Sequence, residues 1–391
     1  MTANHHHQIP MLLVLLGMAV LPFAARRLRL PSSALEIVYG MLLFNLVLDS
    51  RPEWFELLRE IGFIYLMFIA GMELDLRALR RSGRSGWYLL IALASFLLTP
   101  LAFTLIGIPF FLGVSVAMIS AGIVIPVLKE LDLLETPFGH TVIGVALTGE
   151  LLSILVLTLI DLLHLHGLSL GMLLSIGKLA LLFGLAYLVL KIVYMAAWWH
   201  PERVTRVMES EDPVEEGIRV LVTMAFAGAV LAGMAGAEPI LGSFLGGMIF
   251  SLIFRGKGRF EEKINAVGFG FLIPFFFIGV GAGIDLRLLL DPGVIGRALL
   301  LTLAVLASNL VTLPLGRPLG LNLREAFSLA VILSAPLSMI VVAGTLGQNM
   351  GLLSETSIGT LVLTALLSSV IYPSLFRVLA RRPLDKGAAE H

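Results

Sequence analysis

One acidic residue stands where water is scarce. Glu150 lies inside the run Val145-Ala-Leu-Thr-Gly-Glu-Leu-Leu-Ser-Ile-Leu-Val156, with Thr148, Gly149 and Ser153 as small or oxygen-bearing neighbours. An ionised carboxylate in apolar surroundings is costly, so such residues usually line a water-filled path and carry protons or ions. The plainer alternative is a protonated structural carboxyl bonded to a neighbouring helix. Two other stretches put oxygen beside a break signal: Ser115-Val-Ala-Met-Ile-Ser120-Ala-Gly122-Ile-Val-Ile-Pro126, and Leu333-Ser334-Ala-Pro336-Leu-Ser338. Proline removes an amide donor and clashes with the preceding turn. Backbone carbonyls freed in this way are ready cation ligands, provided they face protein or water. A simple proline kink explains either stretch alone; two breaks at corresponding places favour a functional crossing. Asn309, beside Ser308, is the other polar pair in an apolar setting, and either ion binding or packing accounts for it.

Other chemistries lack their residues. The chain has no cysteine, which removes disulfides, thiol catalysis and thiolate metal sites. No His-Glu-x-x-His string or paired intramembrane Asp appears, so proteolysis within the membrane has no candidate site. Gly242-Ser-Phe-Leu-Gly-Gly247 is not followed by Lys and Ser or Thr, unlike a phosphate loop; it permits close helix contact instead. His5–His7 could hold a metal, but a polar leader is the simpler reading. His164 and His166 suit an interfacial position. No cofactor and no nucleic-acid partner is implied.

The elements that must position Glu150 are membrane helices. Of 391 residues, 58% are apolar and only 14% charged, with a mean hydropathy of +0.97. Soluble domains run at roughly 45–50% apolar and about 25% charged, which excludes soluble enzymes, nucleic-acid binders and disordered scaffolds. The apolar residues fall into blocks of about 20, the length of a bilayer-crossing helix. Thirteen spans are expected near 9–25, 33–49, 57–74, 87–107, 110–128, 141–163, 168–194, 217–235, 239–255, 266–284, 293–314, 324–347 and 356–378. The leader Met-Thr-Ala-Asn-His-His-His-Gln-Ile-Pro lacks Lys, Arg and a cleavage site, unlike a signal peptide. Most acids fall in loops or at helix ends, among them Asp75, Asp285, Glu215, Glu216, Glu261 and Glu262. Glu150 sits about nine residues from the inner end of span 6, roughly 13 Å deep at about 1.5 Å per residue. Loops after odd-numbered spans and the tail hold 20 Lys and Arg, including Arg77, Arg80, Arg255 and Lys257, against 4 on the other side. That asymmetry sets the N-terminus outside and the C-terminus in the cytoplasm.

The chain also repeats itself. Phe68-Ile-Ala-Gly-Met-Glu-Leu-Asp75-Leu-Arg77 resembles Phe277-Ile-Gly-Val-Gly-Ala-Gly-Ile-Asp285-Leu-Arg287, and Ile119-Ser120-Ala121 resembles Leu333-Ser334-Ala335. Pro31 and the run from Gly40 match Pro239 and the run from Gly247. The offsets lie between 207 and 214 and keep their order. They join span 2 to 9, 3 to 10 and 5 to 12, steps of seven, so the copies are inverted. Inverted repeats mark secondary transporters, whose sites lie near the midplane where the copies meet.

Four stretches carry a family resemblance: Leu66-Met-Phe-Ile-Ala-Gly-Met-Glu-Leu-Asp-Leu, Val127-Leu-Lys-Glu-Leu-Asp-Leu-Leu-Glu-Thr-Pro137, Gly242 to Ser251, and Pro274-Phe-Phe-Phe-Ile-Gly-Val-Gly-Ala-Gly-Ile-Asp-Leu286. In these the chain resembles the bacterial monovalent cation:proton antiporters of the second cation–proton antiporter family, the Nap-like and Kef-like sodium/proton and potassium/proton exchangers. The resemblance implies an all-α polytopic fold with inverted repeats (about 26–163 and 217–378). It also implies a homodimer in the bacterial inner (plasma) membrane. Spans 1–3 and 8–10 would form a scaffold, span 7 (168–194) a linker, and spans 4–6 and 11–13 a moving core with broken, crossing spans 5 and 12. No cytoplasmic regulatory domain is expected. Function would be exchange of Na⁺ or K⁺ for protons by alternating access, serving pH homeostasis. Glu150 would be the shared site, with Thr148, Ser153, Ser120, Ser334 and Asn309 replacing part of the ion's water, and Gly122, Pro126, Pro336 and Ser338 shaping the breaks.

Departures from the family pattern are specific. The first member of the family's pair on span 6 falls on Gly149, which has no side chain. Ser308-Asn309 stands where many members place a basic residue, and Ala335-Pro-Leu-Ser338 where many carry an Arg-Gly-Glu-like string. One titratable group without a basic partner suggests electroneutral exchange. The same losses leave open a proton-coupled carrier of an organic anion or small metabolite, a passive channel, or a non-transporting subunit.

Overall fold

A computed structural model of the chain describes residues 5–28, 30–48, 50–73, 83–167, 169–198, 216–235, 239–253, 258–289 and 291–380. Regular elements among the described residues are all helical. The first half holds α1 (His5–Leu28), α2 (Ser32–Leu46), α3 (Glu53–Glu73), α4 (Ser85–Leu105), α5a (Phe110–Val116), α5b (Val124–Glu130) and α6 (Pro137–His166). After α7 (Leu170–Trp198) come α8 (Glu216–Met234), α9 (Pro239–Ile253) and α10 (Gly258–Val267 and Ile273–Ala282, joined by the π turn Gly268–Leu272). Then follow α11 (Pro292–Asn309), α12a (Leu323–Leu333), α12b (Leu337–Asn349) and α13 (Glu355–Ala380). Each expected span thus coincides with a helix or a helix pair. Among the described residues, six helices are long and apolar enough to cross a bilayer, and α12a with α12b, bent by 44°, can make a seventh. Arg29, Asp75, Arg77, Arg80, Arg81, Arg203, Arg206, Glu215, Arg255, Lys257, Arg381, Arg382 and Lys386 lie outside the described residues, as do the side chains of His5–His7, Glu216 and Glu261.

Contacts divide the chain into two compact units: 1–20, 46–77 and 158–279 form one, and 21–45, 78–157 and 280–391 form the other. In the first, α3 and α9 meet backbone to backbone. A Cβ on Gly71 would run into the Phe244 carbonyl, and one on Gly247 into the Phe68 carbonyl. Small residues permit such an approach, which supplies packing where no water drives association. Ser243 adds a hydroxyl bond to the Ile64 carbonyl at 2.7 Å, and Phe63 stacks on Phe276 at 4.4 Å between ring centres.

In the second unit the Tyr372 hydroxyl on α13 donates to the Thr302 carbonyl of α11 at 2.6 Å. At the end of α5b, Glu130 receives Arg377 of α13 at 2.8 Å. Helix α12a opens on a capping box: the Asn322 side chain takes the Glu325 amide, and Glu325 returns to the Asn322 amide. The helix stops at Ser334 because Pro336 has no amide to continue the ladder, and Pro336 becomes the residue before α12b. The break in α5 is longer, spanning 117–123. Pro126 does not sit inside it. It is the third residue of α5b, where a missing amide costs nothing because the first turn has no intrahelical partner.

Candidate functional site

Glu150 lies near the midpoint of the thirty-residue α6 and is 3% exposed. Its Oε1 accepts the Ser120 hydroxyl at 3.0 Å, and its Oε2 the Ala121 amide at 3.4 Å. Both donors belong to the unwound stretch of α5. Unwinding strips the Ala121 amide of a helical partner, and the carboxylate takes it up together with the Ser120 hydroxyl. One turn further along α6, Ser153 holds the same stretch. Its Oγ accepts the Ile119 amide at 3.1 Å, with the Gly149 and Ile119 carbonyls at 2.8 and 3.1 Å as acceptors for its hydrogen.

The break in α12 reaches this group through one atom. Ser338, the second residue of α12b, lies 2.8 Å from Ser120, oxygen to oxygen, and the Gly122 amide donates to Ser120 at 3.3 Å. The two broken helices therefore touch at Ser120. Gly149 contributes no side chain, and Ile119 fills the space beside it: a Cβ there would come within 2.7 Å of three Ile119 side-chain atoms.

Asn309 and Ser334 form a second group. The Asn309 amide donates to the Val305 carbonyl at 3.0 Å and to Ser334 at 3.1 Å, while the Ser334 hydroxyl has the Ala330 carbonyl at 2.7 Å. Asn309 Oδ1 is buried without a hydrogen-bond partner. Among the described residues no hydrogen bond joins this group to Glu150. Ser308 is occupied elsewhere, by Thr99 at 2.9 Å and by Ser95 of α4. The Thr148 hydroxyl turns back to the Gly144 carbonyl of its own helix at 2.7 Å.

Sequence reasoning missed several participants. Ser338 was expected only as a break residue, and the Ile119, Ala121 and Gly122 amides carry no side-chain signal. Among the described residues two further acids are buried: Glu36 in α2 is 4% exposed and Asp161 in α6 is 2% exposed, with Asp161 Oδ2 unpartnered. Among the described residues no group of three His, Asp or Glu is placed to hold a resident metal.

Two interrupted helices meeting beside a buried mid-helix carboxylate form the arrangement expected of a secondary transporter. Comparison with known proteins makes the class specific. The profile described as "Sodium/hydrogen exchanger, transmembrane" matches residues 11–382, and the chain belongs to that family. It is 28% identical to YjbQ of Bacillus subtilis, which bears the name of a Na(+)/H(+) antiporter; the match covers 96% of this chain and 64% of YjbQ, so the chain spans just under two thirds of that relative. It is 26% identical to the Na(+)/H(+) antiporter of Enterococcus hirae, over 83% of this chain and 84% of that protein. The solved sodium proton antiporter MjNhaP1 of Methanocaldococcus jannaschii, at 18% identity, has the same fold: TM-score 0.69, covering 99% of this chain and 100% of that one.

Proposed function

We propose that this chain exchanges a monovalent cation, Na⁺ or K⁺, for protons by alternating access, with Glu150 as the site both cargoes share. The observation that carries the reading is the carboxylate of Glu150, buried at mid-helix and bonded to the unwound residues Ser120 and Ala121. Facing one side, the carboxylate takes a proton; facing the other, it releases the proton and binds a cation. Ser120 and the carbonyls of residues 117–123 supply oxygen in place of water. The Asn309–Ser334 pair, with its free Oδ1, is a second neutral oxygen site for the passing ion. Competition at one carboxylate suffices for coupling, because a ligand shifts a conformational equilibrium only by its differential affinity for the two states. With no charged partner bonded to Glu150 among the described residues, exchange of one proton for one monovalent ion is electroneutral.

The assembly we propose is a homodimer in the bacterial inner membrane, N-terminus outside. Helices α1–α3 and α8–α10 form the scaffold, α7 the linker, and α4–α6 with α11–α13 the moving core. The test uses proteoliposomes with a trapped pH dye. Imposed Na⁺ or K⁺ gradients drive proton flux in the parent, and Glu150→Gln abolishes it. A Glu150→Gln variant exchanging as fast as the parent overturns the reading. Flux that ignores Na⁺, K⁺ and Li⁺ but requires an organic substrate replaces it.

A further inference from the structure

The chain of contacts from Glu150 to α12b has a direction. A serine hydroxyl offers one hydrogen and two acceptor positions. On Ser120 the hydrogen points to Glu150 Oε1 at 3.0 Å, and the Gly122 amide arrives at 3.3 Å. Ser338 lies 2.8 Å away. With the Ser120 hydrogen committed, the hydrogen between the two serines belongs to Ser338. Ser120 is then saturated, and the arrangement suits an ionised carboxylate, which only accepts. A proton on Oε1 needs an acceptor of its own. Ser120 can provide one by turning its own hydrogen from Oε1 to Ser338, which reverses the bond between the two serines.

From this geometry we infer that Ser338 is a positioning residue that couples the protonation state of Glu150 to α12b. It donates to Ser120 while the carboxylate is ionised and accepts from Ser120 when the carboxylate is protonated, its own hydrogen turning to another acceptor. The contact between the two broken helices thus persists with its direction reversed. The inference rests on Glu150 being the shared site. The only proton exchanged is the one taken up at Oε1; the two hydroxyls merely rotate. The groups bonded to Glu150 are the Ser120 hydroxyl and the Ala121 amide. Among the described residues no charged side chain from α5, α6 or α12 bonds to it, and the first turn of α12b holds no acid.

The experiment is the pH profile of Na⁺-driven proton flux in proteoliposomes for Ser338→Ala, Ser338→Thr, Ser120→Ala and the double alanine variant. Ser338→Ala leaves the Ser120 hydrogen without that acceptor when the carboxyl is protonated, which favours the ionised carboxylate. The profile's midpoint is expected to move by about 0.5–1 pH unit toward acid, the size of one ordinary hydrogen bond. Ser338→Thr keeps the hydroxyl and the parent midpoint. In the Ser120→Ala background, Ser338→Ala adds no further shift, because the two act as one unit. Ser338→Gly carries the same expectation should the alanine variant fail to fold. A parent-like midpoint in Ser338→Ala, or an undiminished shift without Ser120, overturns the inference. Failure of the site reading is separate and shows as undiminished exchange in Glu150→Gln.

Discussion

Replacing Ser153 by Ala asks whether α6 holds the unwound part of α5 in register. Ser153 is fully buried, and its Oγ is the acceptor for the Ile119 amide at 3.1 Å. Alanine leaves that amide buried and unpaired, which costs about 1–3 kcal/mol. If the cost falls on the arrangement that presents Ser120 to Glu150, its population drops by roughly 5- to 150-fold, since about 1.4 kcal/mol is a factor of ten. Sodium-driven proton flux should fall accordingly, and the protein should melt earlier in detergent. The control is Thr141→Val on the same helix. Thr141 is equally buried, but its hydroxyl bonds the Pro137 carbonyl of its own helix at 3.0 Å, so no amide is orphaned and flux stays within about twofold. A Ser153→Ala protein with parent flux and parent melting temperature refutes the reasoning.

Two further outcomes follow from packing and charge. Gly149→Ala places a methyl within 2.7 Å of the buried Ile119 side chain; overpacking of this kind costs about 1–3 kcal/mol, so a lowered melting temperature and slower flux are expected. A variant as stable as the parent would show that Ile119 yields freely. The Arg377–Glu130 pair, with side chains 24% and 53% exposed, should give a coupling energy of about 0–1 kcal/mol in a double-mutant cycle, fading at high salt. A larger, salt-insensitive coupling would mean that the pair is shielded from water.

The helices were legible because apolar runs of bilayer length leave few other options. Placement of the α12 break was legible too, since Pro336 ends the amide ladder where it stands. The α5 break was displaced from its marker: Pro126 is tolerated in the first turn of α5b, and the chain unwinds upstream over residues without proline. What holds that stretch open is tertiary, namely Ser153 and Glu150 taking its freed amides, and no local pattern announces that. Glu150 stood out in sequence because it interrupts a long apolar run. Glu36, only four residues into α2, reads as an end residue; its burial comes from the helix face it occupies, which hydropathy does not report. Thr148 and Ser153 looked alike as oxygen donors, yet one satisfies its own helix and the other grips a neighbour.

The seam between α3 and α9 also limits how its unit can deform. Carbonyl against glycine leaves no side-chain layer to act as a lubricant. Sliding either helix by one residue toward its own N-terminus, about 1.5 Å, would bring Met72 or Met248 toward the place a hydrogen atom now occupies. In that direction the pair meets a side chain where it now meets none, so the seam favours movement of α3 and α9 together.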